Sequence, residues 1–347
     1  MSLFVDVALH GKKSTRVPIW FMRQAGRYLP EYINVKKKVE ANGGTFLDMC
    51  YNPEIASEIT LQPIERYALD AAIIFADILV IPDAMGANVH FVTDIGPVLD
   101  KVTSFDDLAK LDDDCDNSHK FKKISESVAI VRDKLSKDIA LIGFAGCPFT
   151  VATYMCSGGR VGNGHDIRMA SYTDWIEKLI HILTDNTIIY LEKQILAGAD
   201  AIQLFESHAS YGLNEYSFQK FILDPTVKII TTLKKTYPKI PFILFPRGAG
   251  ARYPEIVKIV NPNVIGVDEM ISDEVLLELQ KGETVIQGNI DNYLLCYGRE
   301  IDTIHRVECI LEKFTNKPFI FNAGHGILKD TNPSIIQKVI DRVRRNV

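Results

Sequence analysis

The sequence predicts an α/β protein built as a single (β/α)8 barrel of the TIM type over residues 1–347, with loop insertions at its C-terminal face. Three observations predict it. Eight short, nearly continuous apolar runs recur along the chain, each breaking into glycine, charge or amide. Helical patterns lie between several of them, and apolar strands alternating with helices mean a parallel sheet covered on both faces. No G-x-G-x-x-G follows the first run, so the rival open doubly wound sheet lacks its dinucleotide fingerprint.

In chain order the runs are VPIWF (17–21) before MRQAGR, AAIIF (71–75) before ADI, ALIGF (140–144) before AGCP, and AIQLF (201–205) before ESH. They continue as FILF (242–245) before PRGAG, VIGV (264–267) before DEM, TVIQ (284–287) before GNID, and FIF (319–321) before NAGHG. Between them, Ile176, Leu179, Ile180 and Leu183 fall at helical spacing in 175–197, with Ser171 and Asp174 offering a cap and Gly198 a stop. Asn332-Pro333 before SIIQKVIDRVRR marks a last helix, capped at its start and basic at its end. The glycine-rich SGGRVGNG (157–164) follows a predicted helix and reads as a mobile loop.

Composition narrows the function. With 39 basic and 44 acidic residues the net charge is −5, which disfavours nucleic acid or an anionic membrane as partner. No apolar run approaches the ~20 residues of a membrane span. The six cysteines form no C-x-x-C and no zinc-type spacing with histidine, so free thiols in a reducing compartment are expected and no metal site is predicted. The start, MSLFVDVALHGKK, lacks signal-peptide design, which points to the cytoplasm, or to a plastid if a presequence precedes this sequence.

A barrel gathers its strand ends at one mouth. That would crowd Arg23, Arg27, Asp77, Glu206, Ser207, His208, Arg247, Asp268, Glu269, Asn289, Asp291 and His325 together. Two arginines leaving a buried run need an anion, because an isolated buried charge is costly. Glu31 or Asp77 would satisfy them internally; an anionic substrate would do so externally. Ala25 and Gly26 between them let a ligand approach the backbone. Asp77 either caps the next turn or holds negative charge where a cationic centre forms. Tyr154 reads as core or ligand contact, and His325, between glycines, as a contact or an orienting histidine. No lysine directly ends a run, which weakens a Schiff-base aldolase.

Taken together, these motifs resemble the uroporphyrinogen decarboxylase family. The resemblance runs from about Pro18 to the last helix, through MRQAGRYLPEY (22–32), LQPIERYALDAAIIFADILVIPDAMG (61–86), IGFAGCPFTVATYM (142–155), QLFES (203–207), QGNID (287–291) and NAGHGI (322–327), in order. It implies cofactor-free, metal-free removal of carbon dioxide from each of the four acetates of uroporphyrinogen III, giving coproporphyrinogen III in haem biosynthesis. By the same resemblance Asp77, Arg23 and Arg27 are catalytic. The substrate, an anionic tetrapyrrole, is held by Arg23, Gln24, Ala25, Gly26, Arg27, Asp77, Tyr154, Ser207 and His325. A homodimer with facing clefts is implied as well. Cys147, Phe149, Asn292 and Ala323 depart from the family pattern, which puts cavity shape and loop rigidity in question.

Three other readings stay open at this stage. A retaining glycosidase would pair Glu206 with Asp291 at ~5 Å. A corrinoid-linked methyltransferase relative would bring zinc through a His-x-Cys, and none occurs. A tetrapyrrole carrier would bind without releasing carbon dioxide.

Overall fold

Seven of the eight apolar runs become strands of one parallel sheet. A computed structural model of the chain describes residues 2–345, so the first and the last two residues of the expected 1–347 domain lie outside the described residues. In chain order the strands are β1 (Ala71–Ile73), the hairpin β2 (His90–Val92) and β3 (Gly96–Val98), then β4 (Ala140–Gly146), β5 (Ala201–Glu206), β6 (Phe242–Pro246), β7 (Val264–Gly266), β8 (Val285–Ile290) and β9 (Phe319–Ala323). The sheet order is β1-β4-β5-β6-β7-β8-β9, every pairing parallel, and β2–β3 stands apart as an antiparallel insertion. Nearly every residue of the parallel strands is buried, as strands covered on both faces require.

The sheet is curled. Gln203 on β5 and Gln287 on β8 are fully buried, and the Gln287 amide donates to the Gln203 side-chain oxygen at 3.3 Å. Two strands lie between them; at ~4.8 Å per strand a flat sheet would hold them ~14 Å apart. The Trp20 indole N–H donates to Gln287 at 2.9 Å, so the chain's first apolar run reaches the same interior.

That first run, expected as a strand, is not a regular one. Ile19 makes a single parallel bridge to Phe321 of β9, with Phe321 N donating to Pro18 O at 2.8 Å and Trp20 N to Phe321 O at 3.3 Å. On its other side Asp70 N donates to Ile19 O at 2.9 Å. A ladder is interrupted because Pro18 has no N–H and side chains take the remaining donors. Ile19 N donates to Asp70 Oδ2 at 2.8 Å, Phe21 N to Gln24 Oε1 at 3.0 Å, and Met22 N to Asn322 Oδ1 at 3.0 Å.

The last helix runs Pro333–Arg344, with the Asn332 side chain accepting from Ser334 N and proline in the first turn, as expected. Such a cap contributes about 1 kcal/mol. The long helix is Asp174–Leu196, and there Ser171 is not its cap. Its hydroxyl donates to Arg168 O at 2.7 Å and closes the preceding helix His165–Ala170. Gly198, at φ 115°, stands just past the helix end as expected. The SGGRVGNG loop is held at both ends: Gly159 bridges to Val98 of β3, and the Tyr211 hydroxyl donates to Gly162 O at 3.3 Å. All six cysteines are free thiols. Among the described residues no helix is long and apolar enough to cross a membrane.

Candidate functional site

Parallel strands end at one side of the sheet, and the unusual residues follow those ends. Arg23 opens the site. Its φ is 61°, a left-handed conformation that non-glycine residues rarely adopt. Contacts on both sides hold it there: Met22 N to Asn322, Gln24 N to Phe21 O at 3.0 Å, and Ile327 N to Met22 O at 3.0 Å. A Cβ on Gly326 would overlap the Arg23 Cγ and Cδ, so the second glycine of GHG makes room for the arginine. The turn at 21–24 therefore aims a guanidinium from a buried frame.

Among the described residues neither Arg23 nor Arg27 is internally neutralised. Glu31, one of the two acids offered as internal partners, instead binds Arg66 through two hydrogen bonds at 2.6 and 2.8 Å. Among the described residues no carboxylate lies within 4.0 Å of the Arg23, Arg27 or Arg247 guanidinium. Desolvation lowers the Arg23 pKa even though the side chain is solvent-accessible. Tyr154 and Asp77 oppose that shift, while Arg27 and Arg247 add to it, so these five side chains share one electrostatic site.

Asp77 follows β1. One carboxylate oxygen accepts from Leu79 N at 2.8 Å, so the turn-capping reading is correct as far as that oxygen goes. Burial pushes its pKa up to about 6, opposed by the Leu79 bond and by Arg23. The arginine does favour the charged form, and desolvation outweighs it. At pH 7 a carboxyl of this pKa is still ionised in roughly nine molecules of ten.

The histidines are neutral. Desolvation, with Arg247 and Arg23 nearby, lowers His325 to about 3. Desolvation and Arg247 lower His208 to about 4. The His208 ring stacks on Tyr211 at 4.5 Å and lies 5.5 Å from Tyr154, whose own hydroxyl is raised by burial and by Asp77. The Ser207 hydroxyl makes no hydrogen bond among the described residues, leaving it available.

Several strand-end residues serve the frame instead. Gln24 is buried, accepting from Phe21 N and donating to Ala71 O at 3.0 Å, so its side chain is structural and only its backbone lies between the arginines. Asp268 accepts from Gly248 N, the Tyr253 hydroxyl and Met270 N. Asn289 donates to Asp268 O at 3.0 Å. Asp291 caps the helix Asn292–Tyr297. Glu206 is 1% exposed and bound to the Thr150 hydroxyl at 2.6 Å, so Glu206 and Asp291 present no open acid–nucleophile face of the kind a glycosidase uses. Asn292, a departure from the family pattern, donates to Gly326 O at 2.9 Å and braces the GHG loop. Among the described residues no three His, Cys, Asp or Glu side chains cluster as metal ligands.

The sequence pattern puts Arg247 at the mouth and assigns it no role. The structure makes it the charge shared by Arg23, His208, Tyr211, Glu269 and His325. Its position directly after FILFP was the available signal. Tyr211 and Thr150 carried no signal of their own, since both depend on loop and helix placement.

The family model described as uroporphyrinogen decarboxylase (URO-D) matches residues 4–346. The chain belongs to the uroporphyrinogen decarboxylase family. A uroporphyrinogen decarboxylase of Rickettsia bellii (strain RML369-C) is 42% identical over 331 residues, covering 94% of each chain. One from Cereibacter sphaeroides (strain ATCC 17025 / ATH 2.4.3) is 40% identical over 341 residues, covering 97% of each. Among solved structures, a methyltransferase from Methanosarcina mazei superposes with a TM-score of 0.77 at 21% identity, covering 98% of this chain and 96% of that one, which shows a shared fold. The motifs named above therefore sit on a fold that the methyltransferase also uses.

Proposed function

We propose that this protein decarboxylates the four acetate side chains of uroporphyrinogen III to methyl groups, giving coproporphyrinogen III. Beside the family membership, one observation supports it: three guanidiniums without carboxylate partners among the described residues share one electrostatic site with a half-buried aspartate and two neutral histidines. A neutral sugar gives three such cations nothing to bind. A polycarboxylate does.

The chemistry follows from the charges. A proton added to a pyrrole ring carbon beside the acetate-bearing one makes an iminium-like cation. The CH2–CO2 bond breaks, carbon dioxide leaves, and the electron pair forms an exocyclic C=CH2 bond that discharges the cation. A proton added to that CH2 makes the methyl, and loss of the ring-carbon proton restores the pyrrole. Each acetate thus takes up one proton per carbon dioxide released.

Asp77, ionised in a desolvated setting, would accept from the pyrrole N–H groups and stabilise the cation; a fixed charge does this better there than in water. Arg23 and Arg27 would bind carboxylates, one of them also delivering a proton, with the Gln24–Ala25–Gly26 backbone as the wall between. Tyr154, Ser207 and His325 would orient the remaining carboxylates. Neutral histidines suit this, since each offers one N–H donor.

Three further assignments complete the proposal. Segment 18–20 hydrogen-bonds to β9 on one side and to Asp70, just before β1, on the other, which supports closure of the sheet into a (β/α)8 barrel forming a single domain. Met270, Tyr293 and Tyr297 are exposed on the segments after β7 and β8, which supports a homodimer joined near the mouths. The matched relatives are bacterial, and the cytoplasm rather than a plastid is the placement this favours.

The test is an anaerobic incubation with uroporphyrinogen III and no added metal, followed by chromatography of the oxidised products. Porphyrins with seven, six, five and four carboxylates support the proposal. Unchanged substrate bound tightly would make the protein a carrier, and unchanged, unbound substrate would overturn the assignment.

A further inference from the structure

Glu206 is the most deeply buried acid behind the site, and the chemistry above does not use it. It ends β5 at 1% exposure, with no lysine or arginine paired to it among the described residues. Its Oε1 accepts twice: from the Thr150 hydroxyl at 2.6 Å and from His208 N at 3.0 Å. Its Oε2 is buried without a hydrogen-bond partner. The Thr150 oxygen in turn accepts from Ser207 N at 2.8 Å. One carboxyl and one hydroxyl therefore join the 206–208 strand end to the helix Pro148–Ser157.

Tyr154 lies one turn beyond Thr150 on that helix, where residues i and i+4 share a face. The ring of His208 is 5.5 Å from Tyr154, closing the loop of contacts. We propose that Glu206 is a positioning residue: acting through Thr150, it fixes Ser207, His208 and the helix bearing Tyr154 as one unit, so that their polar groups meet the substrate carboxylates in a single geometry. This rests on the contact roles proposed above for Ser207 and Tyr154. Burial raises the Glu206 pKa to about 7, consistent with an acid kept for its hydrogen bonds and not for its charge.

The test measures kcat and KM separately for uroporphyrinogen decarboxylation, with thermal unfolding run alongside. Thr150→Val removes both hydroxyl bonds at nearly constant volume and is expected to raise KM about tenfold, the scale of one buried hydrogen bond. Thr150→Ser keeps the hydroxyl and should restore the wild-type KM. Glu206→Gln retains an oxygen for both donors and should stay within about threefold of wild type in both constants. Equal KM in Thr150→Val and wild type would overturn the proposal while Ser207→Ala and Tyr154→Phe are impaired. Turnover abolished in Glu206→Gln would overturn it too, making the acid a reacting group. Wild-type KM in both Ser207→Ala and Tyr154→Phe would instead sink the contact roles, and with them the purpose of the strut.

Discussion

Arg23 and Asp77 act on each other without pairing. Each shifts the other toward its charged form, yet no Arg23–Asp77 contact falls within 4.0 Å and Asp77 spends one oxygen on Leu79 N. An ion pair would have satisfied both groups and left neither for a ligand. Held apart, the cation would be free for an anionic substrate and the anion for the cation proposed to form within it. On the proposed mechanism both charges would be in place before any substrate arrives.

Asp77→Asn should lose about 10²-fold or more in kcat, the scale of removing one preorganised electrostatic group. The same variant should unfold at a higher temperature than wild type at pH 7.5. A carboxyl whose folded pKa is raised from 3.8 to about 6 contributes most to stability below pH 4, and that contribution is lost as pH rises through 6. The stability gain should therefore shrink toward pH 4. Thermal scans at both pH values, beside single-turnover rates, check the two halves of the prediction independently.

The kcat/KM profile should fall on its acid side with an apparent pKa near 6 if, as proposed, the ionised Asp77 stabilises the ring cation. The neutral histidines titrate lower, near 4 and 3, and should not set this limb. Replacing His325 with Gln should leave the limb near pH 6 in place while weakening substrate use. A limb that moves by more than a unit in that variant would transfer the titration to the histidine.

Arg27→Ala should raise KM about 10- to 100-fold with a smaller change in kcat, as expected for a lost charge-assisted hydrogen bond to a carboxylate. Its thermal stability should match wild type, since Arg27 is exposed and has no ion-pair partner within the described residues. Arg66→Ala supplies the contrast. It breaks the pair with Glu31 at 2.6 Å and should leave KM untouched.

What the sequence made legible follows from what is periodic or local. Seven apolar runs became the strands of the parallel sheet because each is continuous and both of its faces are covered. The remaining one, VPIWF, has the same composition, but beside one bridge to β9 its Ile19 and Phe21 N–H groups go to the Asp70 and Gln24 side chains, and no local pattern announces those partners. Asp77 and Arg23 were visible as charges at run ends. The balance between burial and attraction at Asp77 was not, because it depends on the walls around it. Ser171 looked like a cap by spacing alone, and a competing acceptor, Arg168 O, took its hydroxyl. Arg247 needed three dimensions: its neighbours come from the segments after β5, β7 and β9.

Gly326→Ala tests whether the GHG loop is shaped for Arg23. The added methyl would collide with Arg23 Cγ, Cδ and Nε, and the surrounding frame is fixed by Ile327 N to Met22 O at 3.0 Å and Asn292 to Gly326 O at 2.9 Å. The side chain must yield, since the backbone on both sides is tied. A displacement near 1 Å at a reacting group costs on the order of 10²-fold in rate, so kcat/KM should fall by about that factor while the fold, monitored by circular dichroism, is kept. Gly324→Ala is the matched control on the other side of His325: its nearest collisions would be with the Glu269 backbone and carboxylate. If the two variants lose activity with the same split between kcat and KM, the loop matters for His325 alone. A loss concentrated in kcat for Gly326→Ala would place the effect on the arginine.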